Sequence, residues 1–379
     1  MTIFDKSRVL NKFLNIVIKI LDFIYSKYKL QIFYILRRNI LTLRAQVIFV
    51  CEQTSWAVFW IGKNLTEKLK EMELINAEIA SPLLAKNKII HWGAINYLIK
   101  IGRSYLEKPN FNIINWYHVV PNDERLNFIP YLNKHVDLLI TASPITKKNL
   151  VDSGFDEDKI NIIPFGIDLS HFRRYDKKKQ GYLKKKFNLT SNKIIIGSFQ
   201  KDGEGWGDGM EPKFVKGPDI FCEVVKKLND KYDIHVLLTG PARGYVKKKL
   251  KEFKVPYTHL ILHDYMDIVE CYNVLDLYIV SSRVEGGPQA LLEAMATGVP
   301  LVTTNVGMAP YLIKDKINGF KTQIENVDDL YNYCVEVIKN EKLREKIVKN
   351  AFETVKEYNW ESIAKQYYEK IYKKAFKTN

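Results

Sequence analysis

Leu275–Thr304, reading LDLYIVSSRVEGGPQALLEAMATGVPLVTT, concentrates the residues best suited to chemistry. A buried strand is predicted to end at Ser281–Ser282, and a turn then carries Glu285, Gly286 and Gly287. A helix is expected to open near Pro288 and to stop at Gly298, since proline suits the first helical position and glycine the end. The open N-terminus of such a helix presents unpaired N–H groups and a partial positive charge, a seat for a diphosphate. Glu285 precedes that seat and Glu293 lies about one and a half turns inside the helix. Two carboxylates flanking an anion seat can accept hydrogen bonds from hydroxyl-rich groups on either side of a phosphate. The same residues also fit a plain strand–turn–helix unit with two solvated glutamates.

These side chains need a sheet to place them. A chain of 379 residues suits two α/β domains rather than one core. Buried strands are expected at Gln46–Cys51, Lys88–His91, Asn112–Trp116, Asp137–Thr141 and Lys159–Pro164, with a helix through Ile61–Met72. Phe165–Leu189, rich in lysine, reads as a linker. A second series follows at Lys193–Phe199, His235–Thr239, Leu260–His263, Leu275–Ser282 and Pro300–Thr304, and a helical stretch Trp360–Phe376 closes the chain. Short strands separated by helices predict parallel, doubly wound sheets, with ligand bound in the cleft at strand C-terminal ends.

Within EGGPQALLEAMATGVP the pair Glu285 and Glu293 resembles the E-x7-E signature of the retaining glycosyltransferases of family 4, also called group 1. KINIIPFGIDLSHF (Lys159–Phe172) is similar to that family's interdomain segment, and KGPDIF (Lys216–Phe221) to the stretch after its phosphate-binding lysine. The resemblance runs from about Gln46 to the C-terminus. It implies a GT-B fold: two Rossmann-like domains facing each other across a cleft, here with an amphipathic helical extension in front. The expected division is an extension at 1–44, an acceptor-side domain at 45–170, a donor domain at 171–355, and a closing helix at 356–379 that packs back on the first domain. It further implies that Glu285 meets the donor sugar and Glu293 the nucleotide ribose, with Gly286, Gly287, Pro288 and Gln289 also at the donor. By the same resemblance Lys216, before a glycine, and a cation after the second domain's first strand grip the donor diphosphate. The second cation is Lys201, with Gln200 one position away as the alternative. His118, after NIINWY, resembles the family's residue near the reacting face of the sugar. The implied activity is hexosyl transfer with retention, from a nucleotide-diphosphate sugar to a glycan or lipid-linked acceptor in surface polysaccharide synthesis.

Some features depart from the family pattern. Glu52–Trp56 (EQTSW) stands where a glycine-rich first turn is usual, and Tyr311 where a glutamate is common. Asp202–Glu211 (DGEGWGDGME) matches neither a Walker loop nor a calcium loop, and reads equally as a mobile cover or a flexible turn. Asp156-Glu157-Asp158 has the D-x-D spacing of a metal-binding motif from the other large glycosyltransferase fold, but falls in a polar turn. No metal and no cofactor are expected.

The formal charge is +15, and residues 1–50 hold nine Lys/Arg against two Asp/Glu. Lys12, Asn15, Lys19, Asp22, Ser26 and Lys29 recur at three- and four-residue steps between apolar residues, a helix with a wide apolar face. A bilayer span needs about 20 mostly uncharged residues, and each central charge costs about 2.5–3.5 kcal/mol. The charges here therefore favour a helix lying on an anionic membrane surface, or one packed on the body or on a second subunit. Four widely spaced cysteines and no cleavable signal point to the cytoplasm, with peripheral attachment to the inner face of the membrane. Two rival readings are an inactive GT-B scaffold or sugar-nucleotide-binding protein at the membrane, and a nucleic-acid binder. The second lacks the aromatic-basic pattern of an RNA-recognition motif.

Overall fold

The computed structural model describes residues 10, 12–22, 31–52, 57–190 and 192–378. Two six-stranded sheets, parallel throughout, carry the fold. In the first, β1 (Val47–Val50), β2 (Ala77–Ile79), β3 (Ile89–Trp92), β4 (Phe111–Asn115), β5 (Leu138–Thr141) and β6 (Ile160–Ile162) lie in the order β2-β1-β3-β4-β5-β6. In the second, β7 (Ile194–Ser198), β8 (Ile234–Thr239), β9 (Tyr257–Leu260), β10 (Leu277–Val280), β11 (Leu301–Thr304) and β12 (Phe320–Thr322) lie in the order β12-β11-β10-β7-β8-β9. Strand order reverses between β1 and β3 and between β7 and β10, the places where a doubly wound sheet opens a crevice. Central strands such as β1, β5 and β10 are buried along their whole length. Their runs of Val, Ile and Leu are what a parallel sheet covered on both faces requires.

The strand expected at Leu260–His263 is displaced to Tyr257–Leu260. Its partner β8 ends at Thr239, which pairs with Leu260, so no ladder remains for Ile261 onward. Edge strands β2 and β12 have three residues each, too few to show a period. Of the segment expected to be a linker, Lys177–Lys186 is a helix whose Asp176 cap accepts from Lys179 N at 2.8 Å. Leu183, Phe187 and Leu189 are buried in the core.

The chain ends on Trp360–Tyr367, a π-helical turn Tyr368–Tyr372 and Lys373–Thr378. This tail returns to the first domain. Tyr372 Oη is 2.7 Å from His91 Nδ1, whose Nε2 is 2.9 Å from Asn115 Oδ1. The Trp360 indole covers Gly166, where a Cβ would come within 2.5 Å of the ring.

Residues 12–22 are helical and pack through Leu14, Ile18 and Leu21, while Leu10, Phe13, Ile16 and Ile20 are each more than half exposed. The following helix, Gln31–Arg44, is built into the first domain. Arg38, Leu41 and Thr42 are buried, Arg38 donates to Ala80 O at 2.9 Å, and Thr42 Oγ1 donates to Ser81 O at 2.5 Å. Arg38 is therefore part of the first domain's interior, and Asp22 pairs with Arg37. Ser26 and Lys29 lie outside the described residues. Among the described residues no helix is long and apolar enough to cross a membrane.

Candidate active site

The loops leaving β7 and β10, the two strands at the second sheet's reversal point, meet at a cavity of about 340 Å³. From the β7 side come Phe199, Gln200 and Lys201; from the β10 side come Glu285, Pro288, Gln289 and Ala290. The helix Gln289–Thr297 begins here, with Pro288 as its cap rather than its first residue, and its first turn forms part of the cavity wall. Lys213 and Lys216 complete the wall. Three ammonium groups and a helix N-terminus around one cavity make an anion seat.

Glu285 is tied down on both oxygens. Lys216 Nζ lies 2.7 Å from Oε2, and Ser282 Oγ lies 2.8 Å from Oε1. Gln200 braces the same corner: its amide donates to Lys216 O at 2.6 Å, and its Oε1 lies 3.1 Å from Ser282 Oγ. Gln200 thus acts as a strut, while the Lys201 ammonium is the adjacent cation. That ammonium stands 4.4 Å from the centre of the Trp206 ring, and burial and the nearby Lys213 charge lower its pKa.

Glu293 is placed differently. It lies on the buried face of its helix at 2% exposure and does not line the cavity. Tyr265 Oη donates to Oε1, and Tyr272 Oη donates to Oε2 at 2.9 Å. Burial pushes its pKa up to about 7 despite these two donors. Neither tyrosine could be picked out from the sequence, because nothing local links residues 265 and 272 to 293.

A second cavity of about 330 Å³ adjoins the first through Phe199 and Lys201. It is bounded by Thr239 at the end of β8, by Gly240 and Pro241 beyond it, and by Ile261, Leu262 and Tyr265 after β9. Its walls are mostly apolar.

The EGGP turn is pressed against the first domain. A Cβ on Gly286 would meet Tyr117 O at 2.2 Å, and one on Gly287 would meet Ala142 and Phe165 at 2.9 Å. Gln289 Nε2 donates to Gly166 O at 2.8 Å and Tyr311 Oη to Ala142 O at 2.6 Å. Tyr311 therefore joins the two domains. His118 follows Tyr117, and its carbonyl accepts from Trp116 Nε1 at 3.1 Å and from Arg125 at 3.0 Å. Although its ring reaches solvent, the surrounding protein and the charges of Lys216 and Arg125 push its pKa down to about 4, against a smaller opposing effect of Glu285. His118, Lys216 and Glu285 thus share one electrostatic neighbourhood.

The Asp202–Glu211 loop is docked at its base. Gly244 N donates to Asp208 O at 2.6 Å, Tyr245 N to Gly209 O at 2.9 Å, and Gly203 and Gly209 lie directly on the Ala242 backbone. Asp202 and Arg243, both 1% exposed, pair beneath it at 2.9 Å. Its tip holds Trp206, 67% exposed. Asp156 caps the turn Glu157–Lys159 by accepting from Asp158 N, at the N-terminal end of β6 and so at the opposite sheet edge from the cleft. Of EQTSW, all but Glu52 lies outside the described residues. Lys213 is the lining cation that sequence reasoning missed. In a chain with 58 Lys/Arg its position three before Lys216 carries no signal.

Residues 212–354 match the family model of glycosyl transferases group 1. An uncharacterised glycosyltransferase of Methanocaldococcus jannaschii is 25% identical over 79% of this chain and 89% of its own. The N,N'-diacetylbacillosaminyl-diphospho-undecaprenol α-1,3-N-acetylgalactosaminyltransferase of Campylobacter jejuni is 27% identical over 87% of this chain and 86% of its own. Among solved structures, Anabaena HepE in complex with UDP-glucose superposes with a TM-score of 0.71 at 16% identity, over 87% of this chain and all of that one. The fold is GT-B, and the resemblance carried by the E-x7-E segment is to group 1 glycosyl transferases.

Proposed function

We propose that this chain, a group 1 glycosyl transferase by its second domain, moves a hexose-type sugar with retention from a nucleotide-diphosphate donor to a glycan or lipid-linked acceptor. The observation that carries the reading is the cavity between β7 and β10, where Lys201, Lys213, Lys216 and a helix N-terminus converge beside Glu285. The donor diphosphate lies against these cations, the sugar against Glu285, and the base in the adjoining apolar cavity. Charge developing on the departing diphosphate is stabilised by groups already in position, which is the main catalytic need of such a transfer. His118 approaches from the first domain as a neutral hydrogen-bonding group, on the side from which the acceptor enters. No metal is required on this reading, since the lysines and the helix N-terminus supply the positive charge.

The test is incubation with a panel of UDP- and GDP-sugars, with and without lipid-diphosphate and oligosaccharide acceptors. The expected result is nucleoside-diphosphate release that rises with acceptor, and an NMR spectrum of the product with unchanged anomeric configuration. Binding of every donor without release would favour an inactive sugar-nucleotide-binding protein or scaffold. Abolition of activity by a chelator, with recovery in Mg²⁺ or Mn²⁺, would reject the metal-free reading.

A specific observation favours attachment to the cytoplasmic membrane surface. Leu10, Phe13, Ile16 and Ile20 form an exposed apolar stripe on the first helix, with Lys12 and Lys19 also exposed beside it. Such a helix lies in the interface plane, apolar side down, with lysines at the headgroups.

A further inference from the structure

Both oxygens of the Glu293 carboxylate are occupied by phenols, and the two phenols differ in freedom. Tyr272 is fully buried, with its ring 4.9 Å from Phe199 and 5.1 Å from Tyr278. Tyr265 is partly exposed and opens the three-residue 3₁₀ turn Tyr265–Asp267. It lines the 330 Å³ cavity and also a crevice shared with Trp60 and Asn64 of the first domain. Of the two positions on Glu293, the one held by Tyr265 is therefore the one that borders space a ligand can enter.

We propose that Tyr265 is a latch exchanged by the donor: its hydroxyl holds one Glu293 oxygen until a hydroxyl of the nucleotide ribose takes that place. This rests on the donor reading above. The exchange keeps the carboxylate paired throughout, so the penalty of an unsatisfied buried oxygen never arises. The Trp60 indole N–H, buried without a hydrogen-bond partner, is 6.5 Å ring to ring from Tyr265 and offers the released hydroxyl a second partner. Because a ligand without the hydroxyl leaves the latch shut, the arrangement selects for ribonucleotides.

The experiment is calorimetric titration of wild-type protein and Tyr265→Phe with UDP and GDP and with their 2′,3′-dideoxy counterparts, alongside melting temperatures without nucleotide. Tyr265→Phe should melt lower, because one Glu293 oxygen loses its donor. It should bind the preferred ribonucleotide about three- to tenfold tighter, the size of one net hydrogen bond, and should bind the dideoxy form as wild type does. If wild type binds ribonucleotide but Tyr265→Phe gains nothing or loses affinity, Tyr265 is a fixed wall and the latch is overturned while the donor reading stands. An equal gain for ribo and dideoxy forms overturns the exchange at Glu293. If wild type binds neither nucleotide, the donor reading falls and takes the latch with it.

Discussion

Lys216 Nζ and Glu285 Oε2, 69 positions apart in the chain, are 2.7 Å from each other. Their side chains keep 23% and 11% exposure, so the pair is partly screened by solvent. A diphosphate arriving in the cavity shares Lys216 with Glu285, and the carboxylate in turn fixes where that ammonium points. Lys216→Ala should therefore weaken nucleoside diphosphate about 10- to 100-fold, the value of a charge-assisted hydrogen bond, and nucleoside much less. Calorimetry with both ligands decides this, and equal losses would assign Lys216 to the base or to folding.

Glu285→Gln should act on turnover. The amide removes the anion facing Lys216 while keeping the shape, so nucleoside-diphosphate affinity should hold or rise slightly. Steady-state kcat should fall by at least tenfold. Unchanged kcat would remove Glu285 from the reaction.

Glu293 links the site to stability. Its folded pKa of about 7 exceeds the ordinary 4.5, so the native state holds the proton more tightly than the unfolded chain. The stabilisation is complete below pH 4.5 and is lost as pH rises through 7, a change on the order of 3 kcal/mol. Glu293→Gln, neutral at every pH, should melt progressively higher than wild type between pH 5 and 8. A constant difference would mean that Glu293 does not titrate in that range.

His118, held near pKa 4, is neutral across physiological pH. The kcat/KM profile should show no inflection between pH 6 and 7 that disappears on replacing it. His118→Asn, which keeps a neutral hydrogen-bonding side chain, should retain more activity than His118→Ala, for which about a tenfold loss is expected.

The N-terminal region divides at its second helix. Deletion of residues 1–30 should leave a folded enzyme, active on water-soluble acceptor, that no longer sediments with anionic vesicles. Deletion through Leu43 should lower the melting temperature markedly, because it removes buried Arg38, Leu41 and Thr42. Replacing Phe13, Ile16 and Ile20 by Ser should abolish sedimentation without loss of activity. If it does not, the stripe is not the membrane contact.

Much of this arrangement was legible in the sequence because punctuation marks it. The run LDLYIV, the glycines after Glu285 and Gly298 at the helix end locate β10, the turn and the helix without any tertiary knowledge. What stayed hidden depends on distant partners. Helical phase puts Glu293 one and a half turns inward, but that this face is closed depends on Tyr265 and Tyr272. Lys216 could be named from the glycine that follows it, whereas its engagement with Glu285 could not. Lys19 and Asp22 stand three residues apart on one helix, yet Asp22 pairs with Arg37 of the next helix.

Gly286 has a consequence for how the two halves are gauged. With Tyr117 O where a Cβ would be 2.2 Å away, the obstacle is main chain, which no rotamer change can move. The separation of the domains at this point is set by the thickness of a hydrogen atom. The turn that presents Glu285 is thus also the stop against which the lobe bearing His118 rests. Any side chain at position 286 would act as a shim, widening the gap between those two residues without touching either.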